Sequence, residues 1–348
     1  MALFGLGKRQ ATVGLDIGSG LIKLVVIDHS RGEPELTHVA VTPVLADAIV
    51  EGEVMDPGVV SDAIRGLFAT AGVKQKQVVV AVGGRDVIIK KIQVDRMKES
   101  DAAEVVRWEA QQHVPFDIEG VELDFQVLDP YGEGLQMEVL LVAAKRELVE
   151  TKVTLLQDAG LQPVVVDVDA FALHNAFELN YPEAMDGVVA AVNIGHEVTN
   201  VNILDSGVPL LTRDLSVGTR KFREDLQREH GISADEADAI LVGGRRTPEL
   251  DRCVQSRGEE IAVGVERAAA FLQAASRESQ GIQRVYNSGG GARIPGLTDV
   301  LGSRLGMPVE VANSMQRLRV REGVFDTMNV DEVAPLLMLG VGLAMRRS

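Results

Sequence analysis

Asp16, Gly18, Ser19, Gly20 and Lys23 fall together where one apolar run turns back into another. These residue types suit the binding of phosphate and of a hydrated metal ion. Glycines let a backbone approach phosphate oxygens closely, and successive amides in a tight turn form an anion-binding concavity. Ser19 adds a hydroxyl donor and Lys23 a point charge. Asp16, at the end of a strand, is placed to hold water molecules of Mg²⁺, which keeps several of them when bound. Taken alone, the segment reads equally well as an ordinary glycine hairpin carrying a solvated lysine.

The pattern recurs half the chain later. Val13-Gly14-Leu15-Asp16-Ile17-Gly18 is echoed by Ala190-Ala191-Val192-Asn193-Ile194-Gly195, so that Asp16 aligns with Asn193 and Gly18 with Gly195. Two similar halves, each opening with a glycine-turned hairpin, would face each other as a clamp on the phosphates of a nucleotide. The second hairpin offers Asn193, Gly195, His196 and Thr199. A third element, Ser288 followed by Gly289, Gly290, Gly291, Ala292 and Arg293, places three glycines between a buried strand and a helix start, where backbone amides can approach a ligand.

Other chemistries lack their residues. The chain has no G-x-x-x-x-G-K-[ST], no G-x-G-x-x-G after a strand and no G-x-S-x-G. Its six histidines share no metal-ligand spacing, and His113 and His174 read as structural or surface residues. The single cysteine, Cys253, permits no internal disulfide and fits a reducing compartment. A formal net charge of −16 over 348 residues opposes binding to nucleic acid and anionic lipid, so an anionic ligand needs local amides, a lysine or a metal ion. Apolar residues make up 46% and aromatic residues only 4%, which predicts aliphatic cores. Residues 1–10 contain no apolar signal segment, and the apolar stretch 334–345 is shorter than the roughly 20 residues of a membrane span. The expectation is a soluble chain without direct membrane insertion.

The elements that must position these residues follow from periodicity. Residues 12–27 read as two strands about the Gly18-Ser19-Gly20 turn, 36–44 as a third, 56–71 as a helix stopped by Gly72, and 77–82 as a buried strand. A small α/β module follows: strand 87–94, helix 100–113 ended by Pro115 and opened by an Asp101/Glu104 capping pattern, strands 123–127 and 137–143, helix 147–159 and strand 164–168. Helix 170–179 leads to the second half, with strands 187–194, 200–204 and 208–213. Residues 218–281 are mostly helical and include a helix over 259–279 with Ile261, Val265, Ala268, Phe271, Leu272 and Ala275 on one face. Strand 283–286, helix 296–305, strand 309–311 and helix 333–345 close the chain. Gly340 and Gly342 in that last helix read as sites of close packing.

Two hairpins, a helix–strand junction before each domain exchange and a late triple glycine resemble the actin/Hsp70/hexokinase ATP-binding superfamily over nearly the whole chain, with 164–173 and 334–345 matching its two connecting helices. Within it, Val105-Val106-Arg107-Trp108-Glu109-Ala110-Gln111-Gln112-His113-Val114-Pro115-Phe116, then Leu123-Asp124-Phe125-Gln126-Val127-Leu128, is very similar to the type IV pilus assembly PilM family, relatives of the cell-division protein FtsA. The runs 166–173 and 193–200 are similar to it as well.

The resemblance implies an α/β, actin/Hsp70-like duplicated ATP-binding fold with an FtsA-type inserted subdomain 1C. Subdomain 1A would comprise 1–86 and 166–186, 1C 87–165, 2A 187–216 and 283–333, and 2B 217–282, with 334–348 packing on 1A. ATP or ADP with Mg²⁺ is the implied ligand, Asp16 acting on the metal through water. Gly18, Ser19, Gly20 and Lys23 would hold phosphate, Asn193, Gly195, His196 and Thr199 would face them, Gly218 would approach the ribose, and Gly289, Gly290, Gly291 and Arg293 the adenosine. The implied partners are the cytoplasmic N-terminal peptide of PilN, the pilus inner-membrane complex and the pilus motor ATPases. The peptide groove is sought first near Trp108, Val114 and Phe116. The implied place is the cytoplasm, at the inner membrane through that partner, with self-association left open.

Two positions depart from the superfamily pattern. ATP-hydrolysing relatives carry Asp where Asn193 stands, so hydrolysis is expected to be weak or absent while binding is kept. An adenine-side Lys is replaced by Leu241 in the run Ala237-Asp238-Ala239-Ile240-Leu241. The rival readings are an FtsA-like polymerising protein and a small-molecule kinase. The kinase needs a carboxylate base beside its pocket, for which the sequence reading finds no second candidate after Asn193.

Overall fold

The computed structural model describes residues 11–243, 246–275 and 281–346. The expected features of residues 1–10 and of 276–279 lie outside them.

Strands β1 (Ala11–Ile17) and β2 (Leu21–Asp28) form the first hairpin, with Asp16 opposite Lys23. Strand β3 (Glu35–Pro43) continues the meander, and a small hairpin, β4 (Ile49–Val50) and β5 (Glu53–Val54), precedes helix α1 (Pro57–Ala71). The Asp56 carboxylate caps α1 by accepting from the Val59 amide at 3.0 Å, and Gly72, left-handed at φ 65°, ends it. Its spacing buries Val60, Ile64, Leu67 and Phe68 against strand β6 (Gln77–Val82) and its neighbours.

Strand β7 (Val87–Asp95), helix α2 (Glu99–His113), and strands β8 (Val121–Val127) and β9 (Gln136–Lys145) make the small module. Its sheet is three-stranded and antiparallel in the order β7-β9-β8, with α2 burying Ala102, Val106 and Ala110 on it. Helix α3 (Arg146–Asp158) and strand β10 (Gln162–Val168) then leave the module. The sequence assigns both to it; instead β10 pairs in parallel with β6, and Leu155 and Leu156 of α3 enter the core around Val60 and Ile64. A parallel pair needs a long crossover, and the module with α3 supplies it. Helix α2 also differs at its start. It begins behind Lys98, which offers no side-chain cap, so Asp101 and Glu104 sit inside the first turns and do not form the expected box.

Helix α4 (Asp169–Asn180) leads to strands β11 (Val188–Ile194), β12 (Thr199–Asp205) and β13 (Val208–Leu215). Helices α5 (Thr219–His230), α6 (Ala234–Val242) and α7 (Pro248–Ala275) follow, then β14 (Arg284–Ser288), α8 (Leu297–Leu305), β15 (Val309–Val311) and β16 (Arg319–Val320). On α7, Ile261, Val265 and Ala268 are buried as their spacing predicts, but Phe271 is 60% exposed. A short helix α9 (Val330–Val333), a single 3₁₀ turn at Pro335 and helix α10 (Met338–Met345) replace one continuous closing helix. Pro335 lacks the amide that an unbroken helix would need there.

The two main sheets repeat one plan. The first runs β10-β6-β1-β2-β3-β16 and the second β13-β12-β11-β14-β15, and each sets an antiparallel hairpin beside a parallel strand. Between them α10 lies against α4 so closely that a Cβ at Gly342 would overlap the Ala172 carbonyl oxygen, while one at Gly340 would come 2.9 Å from a Val25 methyl. Gly342→Ala is therefore expected to cost about 3 kcal/mol or more, because backbone atoms must separate. Gly66→Ala, on the exposed face of α1 with nothing near the added carbon, should stabilise by about 0.5–1 kcal/mol. Urea unfolding of both variants checks the pair.

Candidate functional site

The two hairpins close in the same way. The Gly18 amide donates to the Leu21 carbonyl at 3.1 Å, and the Gly195 amide to the Val198 carbonyl at 2.9 Å. Their tips abut across the molecule: a Cβ on Gly20 would stand 2.8 Å from the His196 ring, so only glycine fits between them. Beside this contact opens a cleft of about 500 Å³. On its first-half wall the Lys23 ammonium donates to Asp16 Oδ2 at 2.8 Å, with side chains 15% and 10% exposed. On the other wall His196 Nδ1 lies 3.3 Å from the Thr219 hydroxyl. Burial, then the nearby Arg223 charge, lowers the His196 pKa, so the ring is neutral at pH 7.

Asp16, Gly18, Ser19, Gly20 and Lys23 line the cleft from the first half, and Asn193, Gly195, His196, Gly289, Gly290 and Arg293 from the second. Three expected residues do not. Thr199 is fully buried and its hydroxyl donates to the Val217 carbonyl at 2.6 Å, which fixes the root of the hairpin. Gly218 begins α5 and is pressed against the His196 backbone, and Gly291 packs on the Ile194 side chain. Gly289 has its amide committed to the Pro335 carbonyl at 2.8 Å. The expected helix start there is a 3₁₀ turn, Gly290–Arg293, with α8 beginning only behind Gly296.

Asn193 is not a free end. The Ser288 hydroxyl donates to its Oδ1 at 3.2 Å, its Nδ2 faces Asn200 Oδ1 at 3.3 Å, and Asn200 Nδ2 donates to Asp214 Oδ1 at 2.7 Å. A polar ladder thus crosses the second sheet from β14 to β13.

The structure adds residues that the motifs missed. Asp169, the first residue of α4, enters the cleft behind Gly83. Burial, then repulsion from Asp16, pushes its pKa up to about 7, against the pull of Lys152. This corrects the expectation that no second carboxylate stands beside the pocket. Its signal was positional: Asp169 follows directly on β10, at the C-terminal end of a parallel strand, where open α/β sheets bind ligands. Lys152, Arg220, Arg223 and Asp238 line the cleft as well, and Leu241 and Val242 of α6 face it. A bridge closes one rim. Arg220 pairs with Asp47 at 3.2 Å and with Glu197 at 2.9 Å, and Glu197 accepts the Glu51 amide at 2.6 Å.

The region sought for partner binding divides. Trp108 is 60% exposed on the outer face of α2, but Val114 is 5% exposed and belongs to the module core, so it is not a contact surface. Phe116 is half-buried, with the Lys145 ammonium 4.8 Å above its ring. Among the described residues, no helix is long and apolar enough to cross a membrane.

Asp169 also makes stability depend on pH. Folding raises its pKa from 3.8 to about 7, so between those limits the folded chain keeps a proton that the unfolded chain has lost, and stability falls as pH rises through that window. Asp169→Asn should abolish this fall, being more stable than the parent by on the order of 4 kcal/mol at pH 8 and within about 1 kcal/mol of it at pH 4. Urea unfolding at both pH values measures it.

Comparison with known proteins follows the same lines. The family described as type IV pilus assembly protein PilM matches residues 14–348. A chain of the solved PilM-PilN type IV pilus biogenesis complex is 31% identical with a TM-score of 0.84, covering 96% of this chain and 98% of that one. The cell division protein FtsA of Bacillus subtilis (strain 168) is 24% identical over 397 residues, 97% of this chain and 83% of FtsA. The ethanolamine utilization protein EutJ from Carboxydothermus hydrogenoformans shares the fold at 21% identity and a TM-score of 0.60, with 96% and 89% of the two chains covered. With two facing hairpins on duplicated actin-like α/β halves and a match from residue 14 to residue 348, this chain belongs to the PilM family of type IV pilus assembly proteins.

Proposed function

We propose that this chain is a nucleotide-dependent adaptor of type IV pilus assembly. It binds ATP or ADP with Mg²⁺ between its halves and grips the cytoplasmic N-terminal peptide of PilN, so that it sits in the cytoplasm at the inner membrane and links that complex to the pilus motor ATPases. The observation that carries the nucleotide half is the abutting pair of hairpins over one cleft. In a chain of net charge −16, that cleft gathers Lys23, Lys152, Arg220, Arg223 and Arg293. Family membership and the 31% identity to a chain of the PilM-PilN complex support the partner.

The residues present fit the ligand. Lys23 exchanges Asp16 for a phosphate oxygen, Ser19 donates its hydroxyl, and the open backbone at Gly290 leaves a flat seat for the adenosine. Asp16 would hold a hydrated Mg²⁺ through its waters, and the ion would neutralise part of the phosphate charge. Asn193, hydrogen-bonded to Ser288 and facing Asn200, is neutral and cannot act as a base. Asp169, with a pKa of about 7, is suited to accept a proton at neutral pH, and hydrolysis is expected to be weak or absent. A small-molecule kinase would use the same carboxylate, and ATP consumption stimulated by a sugar or an acid would identify one.

We propose that the peptide lies between the first sheet and the small module, near Trp108 and Phe116. There an extended peptide would gain affinity from main-chain hydrogen bonds and a few apolar anchors.

Saturating ATP-Mg²⁺ at about 100-fold over Kd should raise stability by about 2.7 kcal/mol in thermal unfolding. Lys23→Ala is expected to weaken binding at least about tenfold, the loss of one charge-assisted contact. Gly290→Arg should abolish it. Titration of a synthetic PilN peptide, followed through Trp108 fluorescence, should give different affinities with and without ATP-Mg²⁺. If Gly290→Arg bound the peptide as the parent does in ATP, nucleotide and peptide would be uncoupled.

A further inference from the structure

Leu148 and Lys152 stand one helical turn apart on α3, and both reach the cleft. Every other cation lining that cleft is already matched within the protein. Lys23 pairs with Asp16 at 2.8 Å, Arg220 with Glu197 at 2.9 Å, Arg223 with Asp238 at 3.6 Å and Arg293 with Glu332 at 3.7 Å. Among the described residues of the cleft, Lys152 is the cation with neither an ion pair nor a hydrogen bond. An ammonium held partly out of water with three unused donors carries a desolvation cost that the carboxylates nearby offset only in part and that a bound acceptor would offset further.

Its position follows from its neighbours. Burial lowers the Lys152 pKa, and the carboxylates of Asp169 and Asp16 oppose that, so the ammonium lies at the end of the cleft that holds both. Gly290, Asp238 and Leu241 line the part of the cleft assigned to the adenosine. A nucleotide with its base there and its phosphates passing between the hairpins sends its last phosphate toward Asp16, Asp169 and Lys152.

On the reading of the cleft as a nucleotide site, we propose that Lys152 recognises the terminal phosphate of a nucleoside triphosphate and so sets a preference for triphosphate over diphosphate. Lys23 and the hairpin amides meet phosphates that both ligands share, whereas Lys152 meets the one that the diphosphate lacks. Its contact is a charge-assisted hydrogen bond in a cleft partly closed to water, the stronger class of such bonds.

The test is calorimetric titration of the full chain with Mg²⁺ and either a non-hydrolysable ATP analogue or ADP, for the parent, Lys152→Met, Lys152→Gln and Lys152→Arg. Ligand-free unfolding temperatures check that each variant folds, and loss of a half-buried charge should not lower them. Lys152→Met and Lys152→Gln are expected to weaken the triphosphate analogue about 10- to 100-fold and to leave ADP within about twofold. Lys152→Arg should keep a preference for the triphosphate. Equal weakening of both ligands, or of neither, overturns the assignment to Lys152 while the cleft reading stands. A parent chain that binds neither nucleotide overturns both.

Discussion

Everything in this molecule is arranged around the near-contact of α10 with α4. Where Gly342 meets the Ala172 carbonyl, two helices touch backbone to backbone, closer than any side chain would permit. That contact lies within a core drawn from both halves, Val25 and Val79 from the first sheet, Val189 and Tyr286 from the second. Three of the chain's thirteen aromatic residues meet here. Phe177, Tyr181 and Tyr286 pack with ring centroids 4.7–5.2 Å apart, joining α4 to β14. With the sheets locked at this spine, the hairpins on either side are brought tip to tip, and the cleft takes its depth from them.

Charge in the cleft is nearly balanced although the chain is strongly acidic. Lys23, Lys152, Arg220, Arg223 and Arg293 line it together with Asp16, Asp47, Glu51, Asp169, Glu197 and Asp238, and each of these cations but Lys152 is in an ion pair among the described residues. Such pairing keeps the site from being a bare positive pocket, and it makes ligand binding an exchange of partners. The rim bridge of Arg220, Glu197 and Asp47 belongs to the same economy of charge, joining the halves through groups that also border the ligand space.

Much of the fold was legible because its signals are local. A glycine turn between two apolar runs fixes a hairpin wherever it falls, so both hairpins and their correspondence, Asp16 with Asn193, could be read directly. Helix α1 was equally plain, since Asp56 and Gly72 mark its ends. What was hidden depends on pairing between distant segments. Nothing local says that β10 leaves the module to join β6, and for the same reason Asp169 and Lys152 could not be placed at one end of a cleft. Apolar residues misled in both directions: Val114 is core where a contact surface was sought, and Phe271 is exposed where burial was expected. Type and spacing give a side chain's face on its own element, but what covers that face is decided elsewhere.

The joints of the small module are unlike one another. On one side β6 reaches β7 through residues 83–86, where Gly84 turns the chain at φ 89° and its carbonyl accepts the Val87 amide at 3.1 Å. On the other, β9 ends at Lys145 and α3 begins at Arg146, with no residue between and with Lys145 tied back to Asp86 at 2.6 Å. The two joints are therefore fastened to each other, so the root of the module is a single anchored piece. From it α3 runs on without slack, carrying Leu148 and Lys152 to the wall of the cleft.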